Sequence, residues 1–154
     1  MSASQYAGRV RVRGCALVVQ NSELLLVKQT VPTRSHPVWI VPGGEVELGE
    51  SAGVAAKRET LEETGLQINP LRLAAIHEFM EPPFHAVELY FISEITGGSL
   101  IVGTDPEHSK DDQQITETAF ISFDRLKHLQ VIPEFLKGAR DIIDSAMDGK
   151  ILQF

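Results

Sequence analysis

Arginine and valine alternate over residues 9–13, and the chain then turns apolar through CALVV. After Asn21-Ser22 a second apolar run, ELLLVKQ, follows. Alternation at period two reads as a strand, and a polar pair between two such runs reads as a β-hairpin. Arg9, Arg11 and Arg13 fall on one face of the first strand. Charges so placed read as a solvated, edge-protecting face in preference to a phosphate contact. TVPTRSHP, with Pro32 and Pro37 as breakers, is expected to be a loop, and VWIVP a short strand running into a turn at Gly43-Gly44. A helix is predicted from Ser51 to Thr64, with Ser51 as its N-cap and Gly65 ending it in the left-handed conformation. LRLAAIHEF and AVELYFISEI read as strands joined by the turn MEPPFH. Residues 97–114 form a long polar connection, a length that is usually functional or mobile. TAFISF is a further strand and DRLKHL a short helical turn. PEFLKGARDIIDSAM reads as an amphipathic helix with Pro133 at its first position and Phe135, Leu136, Ala139, Ile142, Ile143 and Met147 on one side. Strands interleaved with two separated helices predict helices on both faces of a mixed sheet, within one domain spanning 1–154.

At about 100° per residue the first helix divides into three strips. Lys57, Thr60 and Thr64 make a polar outer strip, and Val54 and Leu61 an apolar strip suited to packing on the sheet. Glu59, Glu62 and Glu63 make the third, which continues into Ala52, Ala55 and Ala56, residues small enough for another backbone to approach closely. Like charges three and four apart repel by a few tenths of a kcal/mol per pair. Glutamates late in a helix also face the negative end of its dipole. A solvated acidic face is the ordinary meaning of a charge cluster. It explains this one poorly, because Arg58 is the sole cation on that side. Hard divalent cations take carboxylate and carbonyl oxygens, and magnesium uses a few carboxylates together with substrate phosphates.

Composition narrows the function further. The chain has 154 residues, 43% hydrophobic and 23% charged, with a formal net charge of −7. That suits one globular domain and disfavours a long nucleic acid as partner. It leaves room for a small phosphorylated substrate bridged to carboxylates by metal. No apolar run approaches the eighteen or so residues needed to cross a bilayer, and MSASQYAGRVRV lacks the apolar core of a signal peptide, so a cytoplasmic protein without a membrane partner is expected. The single cysteine, Cys15, sits in an apolar run and reads as a buried thiol.

Gly44, Glu50, Arg58-Glu59, Glu62-Glu63, Gly65 and Leu66, over 23 residues, resemble the Nudix box, the signature of hydrolases of a nucleoside diphosphate linked to another group. One position departs: the family prefers an aliphatic residue where Thr60 stands. LLLVKQ and WIVPGGEVELGES are similar to the strand and Pro-Gly-Gly turn that precede the box in the family, and TAFISFDRL to a later strand and turn. The likeness runs from about residue 10 to about residue 135. It implies an α/β/α sandwich with a mixed β-sheet between helices. It also implies that Glu59 and Glu63 are metal ligands, with Glu62 a ligand or bridging partner, and that the Gly44 carbonyl completes the set. Arg58 would orient the glutamates and Glu50 would brace the loop at the helix start. The implied cofactor is Mg2+, with Mn2+ as a substitute, and a homodimer is a family habit.

Attack on a pyrophosphate needs an activated water and a neutralised leaving phosphate, and bound divalent ions supply both. The candidate bases are Glu62 and, just before the TAFISF strand, Glu117; Gln113 and Gln114 stand nearby where the family usually has a glutamate. Arg34, His36, Phe84 and His85 lie in loops that can flank a cleft, and Arg34, His36 and Phe84 are the substrate-binding candidates. Pro82 lies where the ADP-ribose subfamily tends to carry a proline, although Pro82-Pro83 is also a plain turn signal. Trp39 reads as core. The expected activity is cleavage of a pyrophosphate linkage in an ADP-ribose-like nucleotide. The alternatives are a sanitising hydrolase of damaged nucleoside triphosphates and a nucleotide-binding regulator without turnover. An isoprenoid diphosphate isomerase would need a catalytic cysteine in the cleft, which Cys15 fits badly.

Overall fold

The computed structural model describes residues 5–103 and 114–154. Gln113 and most of the connection read over 97–114 lie outside the described residues. The elements are β1 (Val10–Gln20), β2 (Glu23–Gln29), β3 (Val38–Ile40), β4 (Gly43–Glu45), α1 (Ala52–Thr64), β5 (Leu66–Glu81), β6 (Phe84–Gly98), β7 (Ile115–Ser122), α2 (Phe123–Leu126), a 3-10 turn (Glu134–Gly138), α3 (Ala139–Met147) and β8 (Leu152–Gln153). The strands run in the order β3-β2-β1-β6-β5-β8, with β4 paired to β1 and β7 to β2. β1 with β6 and β5 with β8 are parallel pairs, and the rest are antiparallel, so the sheet is mixed as expected.

Alternate residues of β1 and β2 feed opposite faces. Cys15, Leu17, Leu24 and Leu26 join a core built with Leu136, Ala139 and Ile142 of the C-terminal helical segment. Ala16, Val18 and Leu25 join a second core with Ala56 of α1. Helices therefore cover both faces, and the α/β/α layering read from the interleaved elements is present. The β1–β2 turn holds Asn21 and Ser22 at φ 52° and 62°, the twist that a two-residue hairpin requires.

Several local expectations change. The arginine-bearing half of β1 is not an edge: β4 pairs with it on one side and β6 on the other. Gly43-Gly44 does not turn but forms β4, because residues without side chains can lie directly against Cys15 and α1. The expected C-terminal helix breaks at Gly138 into a 3-10 turn and α3. β5 starts at Leu66, immediately after the helix cap, and Glu117 lies within β7.

α1 is capped as predicted: the Ser51 hydroxyl accepts from the Val54 N–H at 3.2 Å, and Gly65 takes φ 76°. Its rotation is not as predicted. Thr60 and Thr64 are fully buried, whereas Val54 and Leu61 are exposed. The threonine hydroxyls donate to the carbonyls of Ala56 and Thr60, at 2.7 and 2.6 Å, which satisfies them inside the helix and leaves their methyl groups to pack. The small inner face allows the close approach anticipated for it. A Cβ on Gly14 of β1 would sit 2.0 Å from the Ala52 carbonyl oxygen, so the strand passes against the bare helix backbone.

Candidate active site

β1, β5 and β6 build the floor of a cavity of about 590 Å³. Its polar row follows from register: Arg13 pairs with Glu88 across β1–β6, and Glu88 with His77 across β6–β5. Arg13 Nη1 donates to Glu88 Oε1 at 2.6 Å, and the Tyr90 hydroxyl donates to Oε2 at 2.7 Å. His77 Nδ1 lies 2.8 Å from the same oxygen, and since an ionised carboxylate only accepts, that nitrogen carries the proton. Burial pushes the Glu88 carboxyl up, but the His77 hydrogen bond, the Arg13 charge and the Tyr90 hydroxyl outweigh it and hold the group at about 2. Glu88 is thus a fixed anion in the cavity floor. Burial raises the Cys15 thiol far above its ordinary range, so this cavity-wall sulfur stays protonated.

At one end of the floor stand two carboxylates of α1, Glu59 and Glu63. Glu63 is only 6% exposed and accepts from the Gly43 N–H at 3.3 Å. Glu59 accepts from Arg58 Nη1 at 2.8 Å. Arg58 grips Glu50 with two hydrogen bonds of 2.9 and 3.0 Å and reaches the Glu45 carbonyl at 3.0 Å and Glu62 at 3.4 Å. Its hydrogen bond to Glu50 leads the effects that keep Arg58 charged, and the same bond holds the Glu50 carboxyl below its ordinary range. Glu50 also accepts from the Glu47 N–H at 3.0 Å, which ties the loop to the start of α1. At the other end of α1, the Thr64 and Glu63 carbonyls accept from the N–H groups of Ile101 and Gly103, both at 2.8 Å.

The donors suit a hard divalent cation. A Cβ on Gly44 would fall 2.2 Å from the Glu59 carboxyl carbon, so the backbone there is drawn up to the carboxylate as far as a bare glycine permits. Among the described residues, no three His, Cys, Asp or Glu side chains gather tightly enough to enclose an ion unaided. Magnesium is commonly held by one or two carboxylates, with water and substrate phosphates filling the rest, and an open two-carboxylate end matches that habit.

Gly44, Glu59, Glu63, Arg34 and Phe84 all line the cavity. Arg58 and Glu62 lie behind it on α1, linked to the lining through Glu59. Glu117 does not reach it: its side chain is 53% exposed and lies 3.7 Å from Lys28 Nζ, its partner across β2–β7. His36 is exposed and hydrogen-bonded to the Gln130 side chain. Trp39 is buried in the core, as expected. Sequence reading missed Arg11, Arg13, His77, Glu88 and Tyr90. Their signal was a charged or polar residue interrupting the apolar face of each of three strands, and it becomes a site only when β1, β6 and β5 are known to be neighbours.

The family model described as "NUDIX domain" matches residues 8–144. The Bacillus subtilis (strain 168) protein named "Putative 8-oxo-dGTP diphosphatase" is 32% identical over 148 residues, covering 91% of this chain and 90% of that relative. An ADP-ribose pyrophosphatase from Methanocaldococcus jannaschii is 27% identical over 128 residues, covering 79% of this chain and 70% of the relative. A solved NUDIX hydrolase from Nitrosomonas europaea superposes with a TM-score of 0.69 at 25% identity, over 92% of this chain and 91% of that one. Sequence, structure and an acid-lined cavity agree: the chain belongs to the NUDIX family and is a pyrophosphohydrolase acting on phosphorus anhydrides.

Proposed function

We propose that the protein hydrolyses the pyrophosphate linkage of a nucleoside diphosphate joined to a further group, with Mg2+ as the working ion and Mn2+ able to replace it. The observation that carries this reading is the pair of cavity carboxylates, Glu59 and Glu63, set against the bare backbone of Gly43-Gly44. Glu59 and Glu63 would hold the ion, with the Gly44 carbonyl beside them, and Glu62 is tied to this pair through Arg58. When bound, it supplies positive charge for the diphosphate and lowers the pKa of a water. Arg58 is a positioning residue, since it fixes Glu59 and Glu62 while anchored on Glu50. Of the two candidate bases, Glu62 shares the Arg58 grip with Glu59, whereas Glu117 pairs with Lys28 across β2–β7. Glu62, next to the ligand pair on α1, is the candidate base that this reading keeps. Arg34 and Phe84 are cavity contacts for the substrate, and His36 is not.

The test is turnover of a nucleotide panel with Mg2+ in 18O-labelled water, followed by product identification. Label on a phosphate product, and loss of turnover with excess chelator, support the reading. Label on a sugar carbon, or full turnover in chelator, overturns it. A second reading, hydrolysis of damaged nucleoside triphosphates, is favoured by the Bacillus subtilis relative whose name carries 8-oxo-dGTP. Release of inorganic pyrophosphate, in place of two phosphorylated fragments, distinguishes it.

A further inference from the structure

Arg9, Arg11 and Arg13 follow one another at alternate positions where β1 begins, and the first and last of them are matched. Arg9 is paired with Glu45 through both of its terminal nitrogens. Arg13 gives its terminal nitrogens to Glu88 and to the Gly43 carbonyl. Arg11, between them, lines the cavity with its Nε buried and without a hydrogen-bond partner. A buried donor without an acceptor is expensive, by about 1–3 kcal/mol, and calls for an explanation at a functional site. Its guanidinium carbon lies 4.6 Å from the centroid of the Tyr6 ring, a cation–π contact that restrains the side chain.

The surroundings say what the fork meets. Arg11 and Phe79 both stand level with Ala86, one from β1 and the other from β5. A cation and an aromatic ring therefore flank a small residue on the floor, with Phe84 also in the lining. Arg11 is four residues along β1 from Cys15, the partner of Gly43, or about 13 Å at about 3.3 Å per residue. Along the strand Arg11 thus stands apart from the Glu59 end of the cavity, and the group that meets its fork is read as the part of the substrate beyond the diphosphate. Aromatic walls suit a planar ring. Burial and the neighbouring Arg13 both pull the Arg11 pKa down, so an acceptor there relieves an existing stress.

We propose that Arg11, held against Tyr6, reads the base of the substrate and selects a purine with two adjacent acceptors, as guanine presents at O6 and N7. This rests on the nucleotide reading above and names its base. Arginine has only donors, so adenine, which sets an amino donor beside N7, is disfavoured.

The experiment compares kcat/KM for guanosine and adenosine diphosphate sugars matched in all but the base, with the 7-deazaguanosine analogue as a third substrate. Wild type, Arg11→Gln and Tyr6→Leu are measured. Wild type is expected to favour guanine by about 5- to 150-fold and to lose a comparable factor on the deaza substrate. In Arg11→Gln the guanine preference is lost or turns toward adenine, because glutamine offers a donor and an acceptor, and the deaza penalty shrinks. Tyr6→Leu, which leaves the arginine in place, shrinks the preference through KM. An equal loss for every base would assign Arg11 to a phosphate and overturn the proposal, as would a deaza penalty undiminished in Arg11→Gln. Should no nucleotide be turned over, equilibrium dialysis with GMP and AMP still separates the two ideas. Tighter GMP binding that Arg11→Gln abolishes supports the base reader while the proposed function fails, and equal binding of both removes it.

Discussion

Glu88→Gln removes the anion beneath the cavity and keeps its size. The wild-type carboxyl is held at about 2 against an ordinary 4.5. At about 1.36 kcal/mol per pH unit that difference amounts to about 3 kcal/mol, of the order measured when one partner of a buried pair is lost. A depressed folded-state pKa contributes stability that is fully present above the unfolded value and disappears as pH falls toward the folded one. The window therefore runs from about 4.5 down to about 2. By linkage, about 2 kcal/mol of the contribution is gone at pH 3. Other carboxylates titrate in the same range, so the quantity to follow is the gap between the two proteins. Urea unfolding at pH 7, 5, 4 and 3 should give a gap of about 3 kcal/mol at pH 7 and about 1 kcal/mol at pH 3. A gap that stays constant or widens toward acid would show that Glu88 is not held ionised by Arg13, His77 and Tyr90.

Gly44→Ala should lower turnover by at least tenfold with little change in fold, because its Cβ would displace the Glu59 carboxylate from 2.2 Å; unchanged kcat would separate Gly44 from the site. Thr60→Lys should destabilise the protein by several kcal/mol, since it buries a charge, while Leu61→Lys stays within about 0.5 kcal/mol. Thermal melts check the pair, and a larger loss from Leu61→Lys than from Thr60→Lys would return α1 to the rotation read from sequence. Arg58→Lys should lower kcat more than it raises KM, since one ammonium cannot replace a fork that grips Glu50 twice and Glu59 once; normal kcat would leave Arg58 without a positioning role.

What sequence could show was whatever one element determines. Ser51 and Gly65 cap α1 through local hydrogen bonds, and Asn21-Ser22 turns the first hairpin, so both were legible from a few residues. The spacing of Glu59, Glu62 and Glu63 placed them on one helix face. It could not say that Glu59 and Glu63 line the cavity while Glu62 lies behind it, because that depends on the helix's rotation against β1. That rotation was misjudged because threonine counts as polar in a periodic pattern, whereas Thr60 and Thr64 satisfy their hydroxyls within the helix and bury their methyls. The arginines of β1 were misjudged for a different reason. Alternation shows that Arg11 and Arg13 share a face, but strand order decides whether that face meets water or a cavity, and the pairing with β4 and β6 spans some 30 and 75 residues of chain. Glu88 and His77 became partners by the same long-range pairing.

The central claim is that the α1 carboxylates form a divalent-metal site, and the magnesium-induced change in melting temperature tests it most directly. Wild type and Glu63→Gln are each melted with and without Mg2+. A ligand at a hundred times its dissociation constant adds about 2.7 kcal/mol to a protein that binds it only when folded. At about 2–4 °C per kcal/mol, the wild type should rise by about 5–10 °C. Glu63→Gln should lose most of that rise, and without metal it should melt no lower than wild type, since one of three mutually repelling carboxylates is gone. A Glu63→Gln protein that melts far lower without metal and gains as much from magnesium as wild type would make the cluster structural and contradict the account.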